Sequence, residues 1–108
     1  MAYDEALAER VRKLLESNPD VCEKPMFGGV GFLISGNMAC GVRDADLVVR
    51  VGADAHKASL AEQGVGEFDI TGRAMKGWVI VTAYAHRGDH LKRWVDKGCK
   101  FAATLPPK

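Results

Sequence analysis

The chain has 108 residues, a formal net charge of +1, 47% hydrophobic and 27% charged residues. That length is one domain, large enough for a two-layer core without disulfide or metal staples. The near-neutral balance excludes a global field drawing the protein to nucleic acid or membrane. The three cysteines, Cys22, Cys40 and Cys99, lack a CxxC spacing and read as reduced thiols. The acidic, amphipathic N-terminal stretch is unlike a signal peptide, and no apolar run approaches membrane-spanning length, so the expected setting is cytoplasmic, with no membrane partner.

Residues 4–17 place Leu7, Val11, Leu14 and Leu15 on one stripe of a 3.6-residue period and read as a helix. Asp4 is positioned to cap it and Asn18-Pro19 to stop it. Residues 20–25 read as a connector, with Cys22 as a small apolar filler beneath the helix. Two apolar runs then flank Gly36-Asn37, a hairpin signal because both residue types tolerate positive φ. With Gly36 and Asn37 at the turn centre, Phe32 opposes Gly41 and Gly31 opposes Val42, so an aromatic ring lies over bare backbone. The alternative use of these glycines is to bare the backbone to a ligand. Asp44-Ala45-Asp46 turns the chain into Leu47–Val51, whose Leu47, Val49 and Val51 are predicted to face the core.

Asp54 to Gly64 reads as a short helix with Leu60 as its one large anchor, packing shallowly. Phe68-Asp69-Ile70 is a short strand, Gly72 to Gly77 a loop, and Trp78 to Ala83 a strand apolar on both faces, suited to a central position or a dimer surface. Gly88-Asp89 opens a last helix whose stripe is Leu91, Trp94, Val95, Gly98 and Ala102, with Phe101 at its edge. Gly98 costs helix stability by about 1 kcal/mol relative to Ala. Its place in the apolar stripe predicts that another backbone comes close. The order α-β-β-β-α-β-β-α predicts an α+β two-layer sandwich, an antiparallel sheet with helices packed mainly on one face.

Two motifs carry a family resemblance: Met26-Phe27-Gly28-Gly29-Val30-Gly31-Phe32 with Gly36-Asn37-Met38, and Gly72-Arg73-Ala74-Met75-Lys76-Gly77-Trp78-Val79. Together they resemble the N-terminal domain of the TfoX/Sxy family, over nearly the whole chain, here read as a stand-alone single domain. The resemblance implies the fold just described. It also implies a regulatory role: the best-known members are bacterial regulators of natural competence, assisting transcription alongside the cyclic-AMP receptor protein. On that basis Phe27, Gly28, Gly29, Gly31, Gly77 and Trp78 are the motif residues, with an expected structural role, and the expected partner is a protein of the transcription machinery or a second copy in a homodimer.

Nothing in the residue pattern points to catalysis. The glycine cluster lacks the Gly-Lys-Ser/Thr of a phosphate loop and the third glycine of a dinucleotide fingerprint. Ser17, Ser35 and Ser59 have no nucleophile context. His86 and His90 are spaced like zinc ligands, but Gly88 interrupts and no third ligand is near, so both read as solvent-exposed, as does His56. A non-enzymatic protein without metal or cofactor is expected. Arg93, Lys97 and Lys100 form a basic stripe opposite the apolar one, with Arg73 and Lys76 as a nearby basic loop. These five are candidate contacts to a partner or to nucleic acid. The readings are thus an interaction module, a nucleic-acid binder using the stripe, or a small-ligand domain using the hairpin glycines.

Overall fold

Asp4 caps the first helix: its carboxylate accepts the Leu7 N–H at 3.0 Å. The computed structural model describes residues 3–26, 28–69, 72 and 75–108. The elements are α1 (Glu5–Leu15), β1 (Val21–Met26), β2 (Gly29–Ile34), β3 (Asn37–Arg43), β4 (Asp46–Arg50), α2 (Ala53–Leu60), β5 (Val65–Glu67), β6 (Trp78–Val81), α3 (Ala83–His86) and α4 (His90–Ala103). The strands form one open antiparallel sheet in the order β1-β2-β3-β4-β6-β5. This is the predicted α+β class, with one more strand and one more short helix than the predicted order.

The added strand, β1, replaces the predicted connector. Cys22, Glu23, Lys24 and Pro25 are all exposed, so β1 shows none of the alternation that marks a half-buried strand. It lies at the sheet edge, where proline is tolerated. A carboxylate–guanidinium pair, Glu23 to Arg12 at 2.7 Å, ties it to α1. Cys22 is exposed, not tucked beneath the helix.

The hairpin turn is centred one residue earlier than predicted. Ser35 (φ 49°) and Gly36 (φ 87°) hold the two positive-φ positions of a primed turn, and Asn37 pairs with Ile34. With this turn and one register shift further along, Gly31 opposes Gly41 and Phe32 opposes Cys40, which removes the expected ring-over-glycine pairs. The register shifts between Phe32 and Leu33, a bulge that leaves Ala39 of β3 without a partner on β2. Asn37 is spent elsewhere: its Nδ2 donates to the Pro106 carbonyl at 2.9 Å, docking the C-terminal residues on the turn.

One sheet face carries Val30, Phe32, Cys40, Val42, Leu47, Val49, Val79 and Val81, buried with Leu7, Val11, Leu91, Trp94 and Val95 of the helices. Leu47, Val49 and Val51 face this core as predicted. The α4 stripe is buried in full, whereas Leu14 of α1 stays 37% exposed. Gly98 fits the expected close approach: a Cβ there would run into the backbone carbonyl of Ala39 on β3. Helix α2 packs shallowly, with only Ser59 fully buried, and its N-cap is Gly52, not Asp54. The strand predicted at Phe68–Asp69 forms instead at Val65–Glu67, and Ile70 lies outside the described residues. The strand predicted to reach Ala83 ends at Val81, where Thr82 turns back by donating its hydroxyl to Gly64 O at 2.7 Å, and α3 follows.

Candidate functional site

The first motif builds the hairpin. Gly28 is exposed, at the turn between β1 and β2. A Cβ on Gly29 would strike the Val42 carbonyl, and one on Gly31 would strike the Met26 side chain folded across it. These contacts are with the protein's own atoms, which is the packing use of strand glycines. Phe27 lies outside the described residues.

The second motif builds a junction at the ends of β4 and β6, beside the start of α2 and Phe101 of α4, with Trp78 itself on the sheet face opposite the core. Gly77 has φ 91°, and its carbonyl accepts two N–H groups, from Val51 at 2.8 Å and Gly52 at 3.0 Å. A Cβ at Gly77 would sit 3.2 Å from the Gly52 and Ala53 backbone, so the strand ends meet almost bare. Trp78 then pairs with Arg50 across β6 and β4. The Arg50 guanidinium lies 5.2 Å from the Trp78 ring centroid and 5.5 Å from that of Phe101 on α4. Phe68, itself buried, tilts against Trp78 at 6.1 Å. Around this junction the same sheet face carries half-buried Leu33, Met38 and Ile80. Lys76 is exposed beside it in the chain, and Arg73 lies outside the described residues.

The predicted basic stripe is real in position and altered in charge. Arg93 donates to the Glu62 carboxylate at 2.8 Å and 3.3 Å, and Lys97 stands 4.0 Å from the same carboxylate. The hydrogen bond from Arg93 holds the Glu62 carboxyl below the usual carboxylate range. Both cations lie over the Trp94 ring, at 4.7 Å and 4.9 Å, and their stems help bury that indole. Lys100 is exposed. Two of the three stripe cations are thus already answered by a group that sequence spacing does not connect to them. Arg50 and Phe101 were likewise not among the candidate site residues. The one available signal was Phe101 at the edge of an apolar stripe.

The histidines differ from expectation. His86 is only 5% exposed: α3 turns it inward, and its Nε2 lies 3.1 Å from the Ala45 carbonyl. His56 is half-buried and pairs with Glu67 at 2.9 Å, while His90 is exposed. Asp46, near His86, has its pKa raised by burial. Burial also raises the thiol pKa of Cys40 and Cys99. Among the described residues no group of three or more His, Cys, Asp or Glu could hold a metal ion, and no helix is long and apolar enough to cross a membrane. Surface depressions among the described residues include one along the outer face of α4, one between α1 and β1 and one beside Tyr84 and Arg87, and these three are not lined by the hairpin glycines.

The family profile of the TfoX N-terminal domain matches residues 13–102. That span holds the hairpin, the Gly77–Trp78 junction and the whole stripe. No curated protein matches the chain.

Proposed function

This chain belongs to the TfoX N-terminal domain family, and from that premise we propose that it is a non-enzymatic interaction module serving regulation of transcription or competence. It works by presenting a sheet face to a protein of the transcription machinery or to a second copy of itself. The observation that carries this reading is the set of half-buried apolar residues Leu33, Met38, Trp78 and Ile80 on the sheet face opposite the core, around the already covered Val48. Such a face leaves apolar area in water that a partner would remove. A self-complementary face of this kind suits an isologous dimer.

Size-exclusion chromatography with light scattering tests it. The expected result is a dimer at micromolar concentration, converted to monomer by Ile80→Lys, or a monomer that captures one defined partner through the same face. A monomer that captures nothing, or association indifferent to Ile80→Lys, overturns the reading. The nucleic-acid alternative has less support, because Glu62 already neutralises part of the stripe. It predicts affinity that falls steeply with salt and is lost on replacing Arg93, Lys97 and Lys100 by alanine.

A further inference from the structure

Arginines in this fold generally have oxygen partners. Arg12 and Arg93 are bonded to carboxylates, and Arg10 and Arg87 to backbone carbonyls. Arg50 is different. It is half-buried, its guanidinium is held between two aromatic rings, and among the described residues it makes no hydrogen bond or ion pair. Its donors are not among the buried polar atoms that lack partners, so they reach water.

We propose that Arg50, clamped between Trp78 and Phe101, is the anchor that binds a carboxylate on an acidic segment of a protein partner. The inference rests on the interaction-module reading and names the chemistry of its partner.

Three physical points support it. A planar guanidinium offers paired N–H groups that match a carboxylate in bidentate geometry, and it tolerates partial desolvation better than an ammonium. The two rings fix the side chain before binding, so less rotamer entropy is lost on contact. Arginine and tryptophan are also among the residues in which binding energy concentrates at interfaces. The charge pattern selects the occupant. The Arg50 guanidinium has no carboxylate partner among the described residues, so its charge is open to an anion. The net charge is only +1, and Arg93 and Lys97 are committed to Glu62. That leaves a site for one or two carboxylates, not a track for a phosphate backbone, which needs many free cations. Both ring faces toward Arg50 are taken by the cation, which disfavours base stacking on them.

The test follows the Arg50 Nε–H and Trp78 Nε1–H signals by nuclear magnetic resonance. The probes are an acetylated, amidated peptide alternating glutamate and leucine, the matching glutamine peptide, and an oligothymidine strand. The glutamate peptide is expected to shift both signals saturably. The glutamine peptide, and the Arg50→Ala variant, should bind at least about tenfold more weakly, a difference of about 1.4 kcal/mol. The buried Trp94 indole signal reports whether Arg50→Ala is folded. If it is not, Arg50→Lys, which keeps the charge and loses the fork, must show the same weakening. Unmoved signals, equal binding by the folded variant, or an oligothymidine strand that takes the site more tightly than the peptide each overturn the anchor. A dimer or a captured partner whose association ignores Arg50→Ala overturns the anchor and leaves the module standing. A monomer without a partner whose Arg50 still binds the glutamate peptide overturns the module alone.

Discussion

Helix α4 carries two arginine–aromatic stations that look alike in composition and differ in consequence. At one, Arg93 and Lys97 lie over Trp94 and share the Glu62 carboxylate. At the other, Phe101 and Trp78 hold Arg50, with no acid among the described residues. Trp94 is fully buried and its cations act as a lid on the core; Trp78 is half-buried and its cation faces outward. A basic stripe counted along a helix therefore overstates the charge available to a partner. A lone arginine at a strand end understates it. Whether a cation is spoken for depends on which carboxylate the fold brings to it, and Glu62 arrives from the α2–β5 connection.

The largest expected effect sharpens the burial difference. Trp94→Ala should lower unfolding free energy by about 3–5 kcal/mol, the usual cost of emptying a core tryptophan site, measured by urea denaturation. Trp78→Ala should cost clearly less, about 1–2 kcal/mol, since only part of its area leaves water on folding. Equal costs would break the contrast between lid and platform.

Gly98→Ala strikes the helix that serves both stations. Alanine gains about 1 kcal/mol of helix propensity. Its methyl would meet the rigid Ala39 carbonyl, and overpacking of this kind costs about 1–3 kcal/mol. A net loss in melting experiments is expected, together with weakened packing at both Trp94 and Phe101. A stabilised variant would show that α4 does not seat on β3 through this glycine.

The smallest effect is electrostatic. Arg93 depresses the folded-state pKa of Glu62. The carboxylate thus stabilises the fold above its unfolded pKa, and that contribution is lost as pH falls through the folded value. Because the pair is exposed, Glu62→Gln should cost at most about 1 kcal/mol at neutral pH. The difference from the parent should vanish at acidic pH, read from denaturation curves across pH. The same variant frees Arg93 and Lys97, so its retention on a cation-exchange column should rise. Unchanged retention would mean that Glu62 does not mask the stripe.

Much of the scaffold was legible. The spacing of Leu7, Val11 and Leu15, the Asp4 cap, the alternation of Leu47–Val51 around Arg50, and a glycine inside the α4 stripe are local patterns with one physical meaning each. What was not legible depends on pairing. β1 is exposed on both sides, so its residues show no period. Ser35 takes a positive φ that a side chain seldom adopts, which moved the turn by one residue and exchanged every cross-strand partner. His86 reads as a loop histidine until α3 turns it inward. Of the candidate residues, Gly29, Gly31 and Gly77 meet the protein's own atoms and Trp78 packs beside Arg50 and Phe68. Arg50, Phe101 and Glu62 were not among the candidates, because 28 to 51 positions separate the members of each contact and no period links them.

The strand order has a consequence for how the protein is made. β1 to β4 are successive neighbours, so each can zip onto the previous one as it is synthesised. β5 has no such place waiting: it pairs only with β6, which follows it and must first insert beside β4. The valine face of the early meander is sealed by α4, which comes after every strand. A nascent chain therefore holds a sticky half-sheet through the time needed to make its second half, the interval in which a holding chaperone would matter most.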